Sequence, residues 1–543
     1  MKIASLFVAL VSALFCVGAA ADEPSTQPAD FTHPTDLLGP VFTSKLYGLQ
    51  FRAPLNFVEV HRPVADSIVE FDRDEYNWRL RAWRVRLEQS VPLAGGPDAD
   101  GNQRDGVIEL ALQKLTAGIP DAQVLRNEVI NVGRIRVGML AVRYSTVDQQ
   151  RRLTEQAIVE VPDADQRLYY FLDLTGPGKP ESEPLDIVNP AEKAASDVFS
   201  QVVDSVVLLD RAEVARDQVE RLYETRALFV AWTGDHAQSI RSALIPEQWL
   251  RVLKNGRDVG YSYVVETLEN QGKSIDDATV RIGVRSLAAS TLASQWDTVT
   301  WMTCSLDCKH ESWSMLGRNL DARGRVLGTL GQVATSDEET KAVALQPQID
   351  SSTGALGGGD DDRGGPLGQG NVDIETVRSL QVITTHGPTQ LDPLKQDVPA
   401  FYVPQAIDYL LPSLLPLDRP HTYMFAVFVP DATSSTGGGK VMARYCDVLP
   451  VQQASFNNQT QDAVEIVDRL GLEGAPTTYY FTPEGKFLGS RCIFQDGDNQ
   501  TTLTVLPTDA DTLGRLWNQP DLTVPQNPGS EVPATPSGAP VSP

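Results

Sequence analysis

Alternating apolar and polar residues predict a strand-rich first block that ends near residue 210. Strands are predicted at 48–54, 67–71, 78–87, 124–130, 135–144, 155–161 and 169–174. Apolar residues at helical spacing predict helices at 107–115 and 190–206, and Pro190 stands where a helix would begin. The order of elements is therefore strands, helix, strands, helix.

One predicted strand contains a shift in its alternation. Its apolar residues are Trp78, Leu80, Ala82, Trp83, Val85 and Leu87. The last three fall one position out of step with the first three. A β-bulge at Ala82-Trp83 would return all six side chains to one face, so we expect a bulge there.

A second pattern begins at residue 211. An apolar stripe predicts helical structure over 211–254, of which 211–248 would connect two domains. Residues 249–517 predict an antiparallel β domain, with strands at 258–268, 279–284, 299–315, 325–330, 372–384, 422–429, 440–448, 477–482 and 486–494. The Leu- and Pro-rich segment 403–417 predicts a short helix or lid. A polar, Gly-rich stretch predicts a disordered insertion at 335–370, and a Pro-rich stretch predicts a disordered tail at 518–543.

The N-terminus has the pattern of an export signal. Lys2 supplies a positive charge, an apolar run follows it, and Ala19-Ala20-Ala21 offers a cleavage site. We therefore expect residues 1–21 to be a signal peptide, 22–40 a flexible lead-in, and the mature chain to be periplasmic or secreted. The alternative is a retained anchor, because the uncharged run of 19 residues is just long enough to span a bilayer. We expect no later membrane span.

Length and charge narrow the classes of partner. The chain has 543 residues, which favours more than one domain. Its 71 acidic and 46 basic residues give a net charge of −25. Nucleic-acid binding needs clustered positive charge, so we expect no nucleic-acid partner.

The first block resembles a known fold group. It opens with Gly48-x-x-Phe51-x-x-Pro54, and it closes with RLYYFLDLTGPG followed by VFSQVVDSVVLL. With the order of elements, these segments resemble the Mog1/PsbP-like fold over 41–210. The resemblance implies an αβα-sandwich and a non-enzymatic accessory or adaptor role, and it assigns no functional residue.

The second block resembles the LolA-like domains of periplasmic lipoprotein carriers. The resemblance rests on Gly256-x-x-Val259-Gly260-Tyr261, on the Leu-rich middle segment and on the YYFTPEGKFLGS hairpin at the end. It implies an antiparallel half-barrel sheet whose concave face binds acyl chains beneath a helical plug. The candidate ligand-binding residues on that plug are Tyr409, Leu410, Leu411, Leu414 and Leu415.

Four cysteines remain after the expected signal: Cys304, Cys308, Cys446 and Cys492. An even number in an exported chain permits two disulfides with three connectivities. A zinc site at Cys304, Cys308 and His310 would need a further ligand pair nearby, and none follows at ligand spacing. We therefore expect a disulfide between Cys304 and Cys308, or pairing of these two with the other cysteines, and no bound metal.

The sequence lacks the motifs of familiar catalytic sites. It has no C-x-x-C, no G-x-S-x-G and no Walker A loop. We predict an α+β envelope protein without a catalytic centre or cofactor, which binds a lipid acyl chain or another envelope protein. The first alternative is a structural adaptor with no small ligand and a dry core. The second is a hydrolase with an unrecognised site, around His310 and Glu311.

Overall fold

The computed structural model describes residues 37–517 with internal gaps. The gaps are 61–66, 74–77, 98–100, 146–150, 179–189, 235–236, 271–277, 290–293, 344–372, 400–401, 432–437, 457–458, 473–474, 497–498 and the single positions 88, 118, 120, 163 and 165. The predicted signal peptide, most of the lead-in and the Pro-rich tail lie outside the described residues.

Most elements in the described residues are strands, and large antiparallel sheets dominate the fold. The chain divides into two compact units. Of the described residues, the N-terminal unit holds those up to Gln218 together with Leu472 and Ala475, and the C-terminal unit holds those from Val219 to Gly471 and from Pro476 onward.

Among the described residues, twelve strands and two helices precede the long helix that begins at Arg211. The strands are β1 Leu38–Ser44, β2 Leu49–Pro54, β3 Val58–Val60, β4 Ser67–Arg73, β5 Trp78–Arg86, β6 Gly96–Pro97, β7 Gln103–Arg104, β8 Gln123–Val132, β9 Ile135–Ser145, β10 Arg151–Glu160, β11 Leu168–Pro177 and β12 Val207–Leu208. The helices are α1 Val107–Thr116 and α2 Pro190–Asp204. Seven strands form an antiparallel sheet in the order β3-β4-β5-β11-β10-β9-β8, and β1-β2-β12 form a smaller one.

The bulge expected at Ala82-Trp83 is wrong. Strand β5 pairs with β11 without a register shift, and the irregularity lies in β4, between Ser67 and Val69. Trp78 is buried over Gly176 on one face of the sheet, whereas Trp83 stacks on Phe171 in the core beneath α1. The alternation changes phase because the two halves of β5 bury opposite faces.

The remaining elements lie mainly in the C-terminal unit. The helices are α3 Arg211–Thr233, which crosses the boundary between the units, α4 Gln238–Ala243, α5 Gln405–Leu414 and α6 Ala510–Trp517. The strands are β13 Glu247–Lys254, β14 Arg257–Asn270, β15 Ala278–Ala289, β16 Ser294–Ser305, β17 Glu311–Asp321, β18 Val326–Val343, β19 Asp373–His386, β20 Thr389–Gln390, β21 Leu394–Val398, β22 Tyr402–Val403, β23 His421–Pro430, β24 Gly439–Val448, β25 Gln452–Phe456, β26 Gln459–Leu470, β27 Thr477–Phe481, β28 Phe487–Asp496 and β29 Asn499–Thr508.

These strands form one long ladder. Strands β13 to β19 pair antiparallel in chain order, and β13 also pairs with β29, from which the ladder continues through β28, β27, β26, β24 and β23. Side chains near its two ends meet. The Gly438 N–H donates to Thr384 Oγ1 over 3.0 Å, and Gln332 Nε2 donates to the Gly438 carbonyl over 2.6 Å. The sheet therefore curls around an interior.

Three predicted elements in this unit need correction. The helical pattern over 211–254 ends at Ala243, and Glu247–Lys254 is the strand β13. The stretch predicted as one strand at 299–315 is the hairpin of β16 and β17. The insertion expected at 335–370 begins as strand, because β18 continues to Val343 in register with β19, and residues 344–370 lie outside the described part.

The interior is filled by α5. Its residues are buried except for Gln405, Tyr409 and Ser413, and it packs against β15, β16, β17 and β23. Among the described helices, none is long and apolar enough to cross a membrane.

Candidate functional site

The start of α5 is fixed by the strands around it. Its N-cap is Pro404, which offers no side-chain acceptor. Instead, Glu311 Oε2 on β17 accepts the N–H of Gln405 over 2.9 Å, and Gln405 Nε2 donates to the Phe428 carbonyl over 2.5 Å. A carboxylate at this end also interacts favourably with the helix dipole. The helix is thus tied to β17 and β23 at its first residue.

A buried arginine holds the middle of α5. Pro412 lies inside the helix and has no N–H, so the carbonyl of Asp408, four residues earlier, lacks its ordinary helical donor. Arg444 Nη1 on β24 donates to that carbonyl over 2.9 Å and also pairs with the Asp408 carboxylate. The arginine therefore replaces the bond that the proline removes.

The same guanidinium is bound to a second acid. Arg444 donates from Nε and Nη2 to the two carboxylate oxygens of Asp468 on β26, over 2.9 and 2.6 Å. Burial opposes the charge of Arg444, but Asp408 and Asp468 together raise its pKa above the ordinary value. Burying a cation with two anionic partners costs free energy, and removing one of the partners afterwards costs more because it leaves a buried charge unpaired. The group of Arg444, Asp408 and Asp468 therefore fixes α5 against the sheet.

Beside α5 the sheet leaves a cavity of about 70 Å³ that is partly open to solvent. Its walls come from the end of α4, from α5 and from strands β13, β14, β27, β28 and β29. The lining residues are Ala243, Ile245, Gln248, Leu250, Glu266, Tyr409, Leu410, Pro412, Ser413, Tyr479, Phe481, Phe487, Ser490 and Val505. Most are apolar or aromatic.

The register of strands β27, β28 and β29 explains why their side chains form a continuous wall of the cavity. Tyr479 pairs with Ser490 and Ser490 with Val505, so the three stand in one row across β27, β28 and β29. Tyr479 and Phe481 are two residues apart and share a face, because strand side chains alternate. The period-2 pattern of these strands therefore produces one continuous apolar surface.

Glu266 is a buried carboxylate in the cavity wall, on β14. Its Oε2 accepts the Ile245 N–H over 2.7 Å and its Oε1 accepts Gln248 Nε2 over 2.9 Å. Burial, followed by the nearby charge of Glu266, raises the pKa of Tyr409. Ile245 and Ser413 are exposed and mark the mouth of the cavity, whereas Leu250, Leu410 and Val505 are buried.

The predicted ligand-binding residues fall into two groups. Tyr409 and Leu410 line the cavity, whereas Leu411, Leu414 and Leu415 are buried in the core and do not line it. Sequence reasoning missed the wall opposite α5, including Phe481, and it missed Glu266. The alternation of Ser262, Val264 and Glu266 could have flagged an acid on the inner face of β14.

The four described cysteines are buried, and none of them is in a disulfide in this structure. Cys304 is the second-last residue of β16, and Cys308 follows in the turn with a positive φ of 60°. Burial, and then a hydrogen bond to Cys308, raises the pKa of Cys304, so the two thiols are neighbours. Cys446 and Cys492 lie on strands separated by β26 and β27, roughly 14 Å apart at the usual strand spacing. They are too distant to bond each other, and the expected Cys304–Cys308 disulfide stays a prediction.

His310 and Glu311 are not brought together. His310 is exposed, whereas Glu311 is buried and binds the start of α5. Burial raises the pKa of Glu311 to about 7 against its hydrogen bonds from Gln405 and Tyr402. Within the described ranges, no group of three or more His, Cys, Asp or Glu side chains is arranged to hold a metal ion.

No protein-family model and no curated protein matches the chain. Among solved structures, the Saccharomyces cerevisiae Ran-binding protein Mog1p is 14% identical, with 32% of this chain and 98% of Mog1p covered and a TM-score of 0.25. Synechocystis PsbP is 12% identical, with coverages of 34% and 98% and a TM-score of 0.23. The beta-barrel-like protein of the domain of unknown function DUF1849 from Brucella abortus is 10% identical, with coverages of 49% and 97% and a TM-score of 0.27.

Mog1 and PsbP, which name the fold group that the first block resembles, are thus among the structures that resemble parts of this chain. All three TM-scores are below 0.5. The LolA-like resemblance of the second block stays a prediction.

Proposed function

We propose that this protein is a non-catalytic binding protein whose C-terminal unit carries a hydrophobic ligand, such as a lipid acyl chain, in the cavity beside α5. The observation that carries the proposal is the cavity itself, which is lined mainly by apolar and aromatic side chains. Sites for small ligands are lined predominantly by such side chains, with few polar groups. A structural adaptor would have no need of such a space.

The N-terminal residues extend this proposal. We infer that residues 1–21 direct export, so that the carrier works in a periplasm or outside the cell. The finer architecture belongs to the same hypothesis: an αβα-sandwich of the Mog1/PsbP type, followed by a half-barrel in which α5 is the helical plug. The burial of α5 inside the curled sheet supports the plug.

Native mass spectrometry tests the proposal directly. We expect the full-length chain, purified from an exporting host, to retain a species of lipid mass that organic extraction removes. The stripped protein should then bind the neutral fluorescent probe N-phenyl-1-naphthylamine with a micromolar Kd. A clean apoprotein that also fails to bind the probe would favour the adaptor function.

A pair of variants tests whether the probe binds in the cavity. Val505→Phe adds a ring to the inner face of β29, and we expect it to weaken probe binding at least tenfold by filling the cavity. Thr504→Phe adds the same ring to the opposite face of the strand and should leave binding unchanged. Equal binding by both variants would move the site elsewhere. Thermal unfolding of each variant checks that it is folded.

A further inference from the structure

We propose that strand β8 is the docking edge for a second copy of this chain, so that the seven-stranded sheets of two copies join through antiparallel pairing of β8 with β8. This inference is independent of the cavity, because β8 lies in the N-terminal unit and the cavity lies in the C-terminal unit. It depends on three observations: the open edge of β8, the order of the charges along it, and the exposure of its apolar side chains.

Strand β8 is the long edge of the seven-stranded sheet. Within the described part of the chain it pairs with β9 alone, and its ten residues include no proline and no lysine. The strand at the other edge of the sheet, β3, has only three residues. An exposed edge is a template for another strand, because its N–H and C=O groups have no strand partner on that side. The edge at β8 is long enough to accept one.

Alternate residues of β8 turn their backbone groups toward this open edge. The loop between β8 and β9 has two residues, so Val132 and Ile135 are the first hydrogen-bonded pair of the hairpin. Bonded and non-bonded pairs alternate along an antiparallel ladder, so every second residue counted back from Val132 bonds to β9. The residues between them, including Asn127 and Val129, turn their N–H and C=O groups outward. Two copies of β8 centred on Asn127 would therefore exchange both backbone hydrogen bonds at that residue.

The charges of β8 are complementary to themselves about Asn127. In an antiparallel pair centred on Asn127, Arg126 of each copy stands directly opposite Glu128 of the other, which is stabilising. A centre on Arg126 or on Glu128 would instead place like charges opposite each other, which is destabilising. Arg126 Nε pairs with Glu128 Oε1 over 2.6 Å within one chain, so the dimer would hold four charges of alternating sign in one cluster. The charges therefore favour one register of self-pairing.

Apolar side chains flank this centre and are exposed in the single chain. Leu125 is 48% exposed and Val129 is 40% exposed. In the same register, Leu125 of each copy lies beside Val129 of the other. The irregularity in the pairing of β8 with β9 falls between Val124 and Arg126, outside the three central pairs. Self-pairing would thus remove four apolar side chains from water, which adds to the backbone hydrogen bonds.

Sedimentation velocity of the full-length chain across the micromolar range tests the pairing. Because a single strand pair is a small interface, we expect an equilibrium of monomer and dimer with a micromolar Kd. Asn127→Pro removes the N–H at the centre of the open edge without removing a bond to β9, and we expect it to weaken the dimer at least tenfold. A chain that stays monomeric at every concentration would overturn the inference and would leave the edge to a strand of another protein.

Exchanged charges test the register. Glu128→Arg and Arg126→Glu each place like charges opposite each other on both sides of the centre, so either variant alone should be monomeric over that range. An equal mixture of the two should dimerise, because every charge then faces its opposite. Glu269→Arg makes the same charge change at an ion pair of β14, and should dimerise as the unmutated chain does.

Thermal unfolding checks that each variant is folded, since Arg126 also donates from Nη1 to Ser200 Oγ on α2. A dimer that Glu128→Arg leaves unchanged would overturn the inference, because the copies would then meet through another surface. A mixture of two folded variants that stays monomeric would overturn it as well. Glu128→Arg decides the inference even if Arg126→Glu fails to fold.

Discussion

The side chain of Arg444 stabilises two unfavourable features of the fold, a proline inside a helix and a pair of buried carboxylates. It supplies the donor that Pro412 removes from α5, and it pairs with two buried carboxylates on different elements. Because a proline inside a helix and an isolated buried charge are each unfavourable, neither would be tolerated alone. The sequence shows Pro412 and Arg444 as unrelated residues 32 positions apart, so nothing in its local pattern predicts that they cooperate.

Replacing Arg444 should therefore be severe. We expect Arg444→Leu to lower the free energy of unfolding of the C-terminal unit by about 3–5 kcal/mol, because it leaves Asp408 and Asp468 buried without a cation. Arg251→Leu removes the partly exposed pair with Asp258, and should cost about 1 kcal/mol or less. Urea unfolding followed by tryptophan fluorescence measures both. Similar losses in the two variants would contradict the structural role of Arg444.

At the scale of elements, the periodicity of the chain predicts much of the fold but little of the site. Strands β8 to β11 and helices α1 and α2 lie within a few residues of their predicted positions, because β-branched and aromatic runs and apolar residues at helical spacing are local signals. The pattern failed at β5, which buries both faces, and at β13, whose short apolar run also fits a helix. The cavity wall is built from strands distant in sequence, so only its α5 side was predicted.

The burial of Glu311 at the start of α5 predicts a pH dependence of stability. Burial raises the pKa of Glu311 from an ordinary 4.5 to about 7, so the folded state binds this proton more tightly than the unfolded state. Stability from this group is fully present below about pH 4.5 and is lost as pH rises through 7. A shift of that size corresponds to a loss of roughly 3 kcal/mol by pH 8.

Urea unfolding at several pH values between 4.5 and 8 tests this dependence. Glu311→Gln should flatten the decline of stability with pH by that amount. Asp173, whose pKa burial also raises to about 7, lies in the N-terminal unit and should leave a residual slope in this variant. Asp173→Asn is the matched control. It should lose the part of the pH dependence that comes from Asp173 and keep the part that comes from Glu311. An identical pH profile for Glu311→Gln and the unmutated protein would contradict the raised pKa of Glu311.

At the scale of the whole molecule, the cavity and the strands around it lie in the C-terminal unit. Every residue that lines the cavity lies between Ala243 and Val505, and the ladder that surrounds it is formed by β13 to β29. The first and last strands of that ladder in the sequence, β13 and β29, are hydrogen-bonded neighbours. Strand β29 therefore completes the sheet between β13 and β28, and it contributes Val505 to the wall.

This arrangement predicts which parts of the chain binding requires. A fragment of residues 211–517 keeps α3 whole, and with it the stacking of Trp232 on Phe425 and the bond from Trp232 Nε1 to the Leu414 carbonyl. We expect it to bind N-phenyl-1-naphthylamine with the Kd of the full chain. A fragment of residues 211–496 lacks β29 and should lose binding, because β13 and β28 would each expose an unpaired edge. Binding by the shorter fragment, or none by a folded longer one, would place the site outside the curled sheet.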